Sequence, residues 1–142
     1  MKKSMKLWLI TAVLSIAGLT SCDTTTRDGD WEPMKWSAEQ KLSVDNDYYV
    51  IPAEGATVSF ICTNYSAPWM SNAITGGIQY LPDYEKGDYR NIKGDWFSAT
   101  TNDNRLTITF TENAETDRYI SITVTAGDIF YSFLFKQKAN TH

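Results

Sequence analysis

The sequence predicts an all-β fold, an antiparallel β-sandwich that follows a signal peptide and a short flexible tether. Three observations carry that reading. Apolar and polar residues alternate with period two in Leu106-Thr107-Ile108-Thr109-Phe110 and in Ile120-Ser121-Ile122-Thr123-Val124, which buries one face of a strand and leaves the other wet. Polar, turn-forming stretches such as ENAETDR (residues 112–118) separate these runs. No segment beyond residue 21 carries an apolar stripe at helical spacing.

The N-terminus is of a different kind. The chain opens with MKKSMK, and Leu7 to Leu19 follows without a charge. A basic start before an apolar run of this length matches a secretory signal peptide, residues 1–21. A membrane-spanning helix needs about 20 apolar residues, so this run is short for a span. Leu19-Thr20-Ser21-Cys22 resembles a bacterial lipobox: an aliphatic residue, two small residues that fit a peptidase groove, and a cysteine whose sulfur takes diacylglycerol. Cys22 is the expected lipidation site. Each buried methylene contributes only about 0.8 kcal/mol, so several acyl chains make a durable anchor.

Residues 22–35 read as the tether, because Asp23 to Asp30 is polar and acidic with no apolar residue to bury. Asp23, Asp28 and Asp30 resemble the acidic export signal of Bacteroidetes surface lipoproteins. The expected location is the outer membrane, facing the cell exterior.

After residue 21 there remain 121 residues, enough for one compact domain, with ten Lys/Arg against seventeen Asp/Glu. A net charge of −7 repels phosphates, which argues against a nucleic-acid partner. With Cys22 lipidated, Cys62 stands alone in a compartment that permits disulfides. It shares a strand face with Val58 and Phe60, where a cysteine serves as a small core residue. The single histidine is the terminal His142, placed to fray. Ser-His-Asp and Cys-His sites need a positioned imidazole, and zinc needs more such ligands. Asp45-Asn46-Asp47 and Asn102-Asp103-Asn104 offer oxygens, but each is too short to close a calcium shell and suits a turn. No enzyme activity, cofactor or metal is expected.

Along the domain, Lys41 to Asp45 is a short strand candidate, followed by the turn Asp45-Asn46-Asp47 and a strand Tyr48 to Ile51. Pro52 to Gly55 breaks the chain, and Ala56 to Thr63 forms a strand with Val58, Phe60 and Cys62 inward. The strands around Ile108 and Ile122 come next. Ile129 to Gln137 is apolar on both faces, as expected of a central or doubly covered strand. The spacing Cys62…Trp69 is similar to an immunoglobulin core, in which a tryptophan packs over a disulfide. A second domain cysteine is missing, so packing alone must close the sheets, and Trp69 is expected to be mostly buried. Trp36 is expected at the domain edge and Trp31 in a more exposed position.

These residues together resemble a BACON domain, the Bacteroidetes-associated carbohydrate-binding, often N-terminal module. The match runs from Val58-Ser59-Phe60 through Thr63-Asn64 and Trp69 to Trp96-Phe97-Ser98. It continues through Leu106 to Phe110, Asn113, Arg118 to Val124 and Gln137. The resemblance covers residues 36–142 as a domain. It implies an immunoglobulin-like β-sandwich on a surface protein, with glycan as partner or a spacer role beside other envelope proteins. Ser71 to Asp95 is longer than the pattern expects and reads as a loop. It holds Tyr80, Tyr84 and Tyr89 among Gly, Asp, Lys and Asn. Aromatic faces stack on sugar C–H faces, and tyrosine adds a polar tip. Tyr80, Tyr84 and Tyr89, with Trp96, form the candidate carbohydrate-binding surface.

Overall fold

The structure is a computed structural model and describes residues 32–140; the signal peptide, Cys22, Trp31 and His142 lie outside the described residues. With strands numbered in chain order, one sheet runs β1 (Trp36–Ala38), β4 (Ala56–Cys62), β9 (Arg105–Phe110), β8 (Phe97–Asn102) and β7 (Asn91–Lys93). The other runs β2 (Val44–Asp45), β3 (Tyr48–Ile51), β11 (Phe130–Gln137), β10 (Arg118–Thr125), β5 (Trp69–Thr75) and β6 (Ile78–Tyr80). The chain is an all-β sandwich.

The period-two pattern places the core. Val58, Phe60 and Cys62 of β4 and Leu106, Ile108 and Phe110 of β9 are buried, opposite Ile120, Ile122 and Val124 of β10 and Phe133 and Phe135 of β11. Burying each such side chain contributes about 1.5–3 kcal/mol. No disulfide joins the sheets at Cys62. Phenylalanines cross the gap instead, with ring centroids 4.8 Å apart for Phe60–Phe133 and 5.1 Å for Phe110–Phe135. Trp36 packs edge-on against Phe133 at 5.1 Å, at the sheet edge where it was expected.

Three expectations are corrected. The sandwich is mixed rather than wholly antiparallel, since β3 pairs with β11 in parallel. That pairing joins residues about 86 apart in sequence, and no local hairpin rule reports its direction. Second, only Val44 and Asp45 of the candidate Lys41–Asp45 are strand, because their sole partner is the short β3 across the Asn46-Asp47 turn. Both turn residues have positive φ, 51° and 73°, as a two-residue hairpin turn requires. Third, the domain begins before residue 36. Met34 is buried, Asn64 Nδ2 donates to the Pro33 carbonyl at 2.8 Å, and the Tyr65 hydroxyl donates to the Glu32 carbonyl.

One end of the sandwich is closed by a polar clasp. Gln137 has no exposed surface. Its Nε2 donates to the carbonyls of Thr111 (2.6 Å) and Pro52 (3.1 Å), and its Oε1 accepts from Arg118 Nε (2.9 Å). The Arg118 guanidinium also donates to the Thr111 and Glu112 carbonyls and lies 4.1 Å from the centre of the Trp96 ring. Burial pulls the Arg118 pKa down from its ordinary value, partly countered by Glu115, yet an arginine stays charged throughout. Buried Asn113 donates to the Thr116 carbonyl at 2.7 Å, and its backbone N–H bonds the Ala53 carbonyl.

A buried carbonyl or guanidinium left without a partner costs about 1–3 kcal/mol. Gln137→Leu keeps the volume but removes three hydrogen bonds and leaves Arg118 Nε without its partner, so it is expected to lower unfolding free energy by about 2–4 kcal/mol in urea titrations. Thr57→Ala, on an exposed face, should stay within about 0.5 kcal/mol of the native chain.

Candidate functional site

The opposite end carries an open groove, and a backbone irregularity makes it. β5 pairs with β10 at Asn72↔Thr123 and then at Met70↔Val124, so Ser71 is an extra residue in the ladder. Ala73 faces the core. Counting back by twos from Ala73 would turn Trp69 inward; the bulge reverses the parity, buries Met70 and points Trp69 out. Trp69 is 38% exposed. The expectation of a mostly buried Trp69 is thus overturned, and the tryptophan becomes a surface ring.

The chain after β5 brings a second ring beside it. Gly76 and Gly77, both at positive φ, form the two-residue turn into β6. Beyond β6 the chain makes one turn of 3-10 helix, Tyr84–Lys86, started by Asp83 and stopped by Gly87 at φ 72°. It then runs beside the start of β5, where Met70 N–H donates to the Tyr89 carbonyl at 2.8 Å. On the other side, Thr101 N–H donates to the Arg90 carbonyl at 2.9 Å. Residues 88–90 therefore cross from one sheet to the other, held by a backbone bond to each.

The resulting groove has a volume of about 740 Å³. Trp69 and Tyr89 contribute apolar faces, Asp88, Arg90, Lys86 and Asp103 contribute charge, and Pro68 and Thr101 line it further. Asp88 is anchored: its Oδ1 accepts from Arg90 N–H at 3.0 Å and from Asn91 Nδ2 at 3.1 Å. The Arg90 N–H first, and then the Asn91 amide, hold its carboxyl below the usual carboxylate range. Thr101 is only 2% exposed, and its Oγ1 has no hydrogen-bond partner among the described residues. An unpaired buried hydroxyl costs free energy; Thr101 shares the inward face of β8 with Phe97 and Ala99.

The four aromatic residues proposed from sequence separate into two groups. Tyr84 and Tyr89 come together, each 44% exposed, with ring centroids 5.2 Å apart, and the Tyr84 hydroxyl donates to the Ser71 carbonyl. Tyr80 is half-buried, its ring edge-on to Phe97 at 5.4 Å. Trp96 is packed between Phe97, Phe110 and the Arg118 guanidinium at the clasp end. Tyr80 and Trp96 thus do not join the surface, because each is occupied by core packing. The stretch Ser71 to Asp95, expected as a loop, holds the rest of β5, β6 and β7. Arg90 and Thr101 line the groove without having been singled out by sequence patterning, which assigned Trp69 to the core. The Gly76-Gly77 pair was the available signal for the β5–β6 hairpin.

No protein-family model matches the chain, and no curated protein matches it. It is similar to a solved structure described only as the NMR structure of a protein from Bacteroides thetaiotaomicron. That likeness has 29% sequence identity and a TM-score of 0.66, and it covers 85% of this chain and 99% of the other.

The outward ring can be separated from the core by mutation. Trp69→Ala should cost no more than about 1.5 kcal/mol of unfolding free energy, whereas Phe60→Ala should cost about 3–5 kcal/mol, both by thermal or urea unfolding. A Trp69→Ala cost equal to that of Phe60→Ala would return the ring to the core.

Proposed function

We propose that the chain is a glycan-binding lipoprotein, anchored through Cys22 in the outer membrane and facing the exterior, with the described domain as a BACON-like binding module and no catalytic role. The observation that carries this reading is the Trp69 ring. It is turned outward by the bulge at Ser71 into a groove shared with Tyr89, Asp88 and Arg90.

A pyranose presents a C–H face and a rim of hydroxyls. Trp69 and Tyr89 suit the face. Asp88, Asp103 and Arg90 suit the rim, accepting from hydroxyls or donating to them. Both halves are fixed before a ligand arrives, Tyr89 by its backbone bond to Met70 and Asp88 by its Asx bonds to residues 90 and 91. Less ordering is then lost on binding. The lipobox at Leu19–Cys22 and the acidic residues after it support the anchored, surface-exposed placement.

One observation favours a second reading, a protein-binding envelope module. The outer face of the six-stranded sheet has a shallow depression of about 220 Å³, with Tyr48, Ile74, Tyr119 and Leu134 in its lining. Exposed apolar groups that gather in this way can recruit a partner.

A glycan-array screen of the mature chain in detergent, over plant, microbial and mucin glycans, separates the two. Binding is expected, and Trp69→Ala and Tyr89→Ala should each weaken it by roughly tenfold or more, about 1.4 kcal/mol. Tyr119→Ala on the outer face should leave it unchanged. Absence of binding across all three glycan classes would transfer the function to the outer face and a protein partner.

A further inference from the structure

The described chain joins the sandwich at the groove end and leaves it at the clasp end. Asn64 takes hold of the incoming segment twice: its Nδ2 donates to the Pro33 carbonyl at 2.8 Å, and its Oδ1 accepts from Lys35 N–H at 2.9 Å. Tyr65 binds the Glu32 carbonyl. Asn64 and Tyr65 lie in the connection between β4 and β5, and Ala67 and Pro68 of that same connection line the groove. At the other end, Asn140 N–H donates to the Asn113 carbonyl at 2.9 Å, inside the clasp.

Cys22 stands ten residues before Glu32, and ten residues span at most about 36 Å when fully extended. The clasp end lies farther from Glu32 by the length of the strands; β11, with 8 residues, spans about 26 Å at about 3.3 Å per residue.

We propose that lipidation at Cys22 presents the groove toward the membrane, and that its occupant is the saccharide headgroup of a glycolipid in the same leaflet. This rests on reading the groove as a glycan site. The length of chain outside the structure, and the end at which it joins, are what favour a membrane-borne sugar over a polymer in the medium. A short tether keeps the groove within reach of headgroups, so their effective concentration is high and a modest intrinsic affinity suffices. The open form of the groove admits a saccharide that stays attached to its lipid.

The test uses the full lipidated chain in phosphatidylethanolamine vesicles. A dye is placed at the groove end through Asp128→Cys, in the exposed turn after β10, or at the clasp end through Glu54→Cys, in the exposed Pro52–Gly55 turn. Energy transfer to a headgroup-labelled lipid should be stronger from position 128 than from position 54. Equal transfer, or stronger transfer from 54, overturns the orientation.

In a second arm the vesicles contain lipopolysaccharide, and acrylamide quenching of tryptophan is read in the native chain and in Trp69→Phe. Protection that Trp69→Phe lacks is expected at a total saccharide concentration at least tenfold below that needed with the polysaccharide cut from its lipid. Equal concentrations for the two forms, or protection by the free form alone, overturn the membrane-borne occupant and leave the glycan reading standing. If neither form protects while glycan-array binding persists, the glycolipid occupant alone is overturned. If array binding is also absent, both readings fall.

Discussion

Gln137 is the polar residue around which the sandwich is organised. It lies at the end of the last strand with no exposed surface, and its amide reaches two carbonyls and the Arg118 side chain at once. Those carbonyls belong to the turn after β3 and the segment after β9, so one side chain ties elements of both sheets. Arg118 extends the tie to Trp96, and Asn113 fixes the neighbouring loop. In a domain whose sheets share no disulfide, this fully satisfied network sets which strands meet at that end. Phenylalanine packing across the gap supplies the bulk of the burial. Half-satisfied, such a network would be worse than an apolar core; satisfied, it specifies one arrangement.

With one end closed, the other is free to be irregular. The bulge at Ser71 and the crossing of residues 88–90 leave a tryptophan and a tyrosine without core duties. Binding residues tend to sit on connections held by a rigid scaffold. Here the scaffold grips those connections through backbone bonds at Met70 and Thr101. The same end receives the chain that comes from Cys22.

The legible part of the fold was the part with alternation. Strands β4, β9 and β10 follow from apolar residues at every second position, with their inward faces where that spacing puts them, and β3 and β11 follow from short runs apolar on both faces. The clasp residues Asn113, Arg118 and Gln137 stood in the BACON resemblance without a stated role; their hydrogen bonds now supply one. What could not be read was non-local or parity-breaking. β8 is built largely of Ser, Ala and Thr and gives little apolar signal. β3 meets β11 through a pairing that no turn announces. Trp69 was misplaced because one extra residue reverses the facing of everything before it. The tyrosines of residues 80–89 part company in the structure: core packing takes Tyr80, while Tyr84 and Tyr89 remain outside.

The most direct measurement is amide and indole NMR of the isotope-labelled chain, titrated in turn with mucin O-glycans, hemicellulose fragments and saccharide released from lipopolysaccharide. Shifts confined to the Trp69 indole and the amides of Met70, Asp88, Tyr89, Arg90 and Thr101 are the predicted result, with the clasp amides of Thr111 and Gln137 unmoved. Shifts centred on Tyr48, Ile74 and Tyr119, or on Trp96 and Arg118, or on no residue at all, would contradict a ligand groove at the end of the sandwich opposite the clasp.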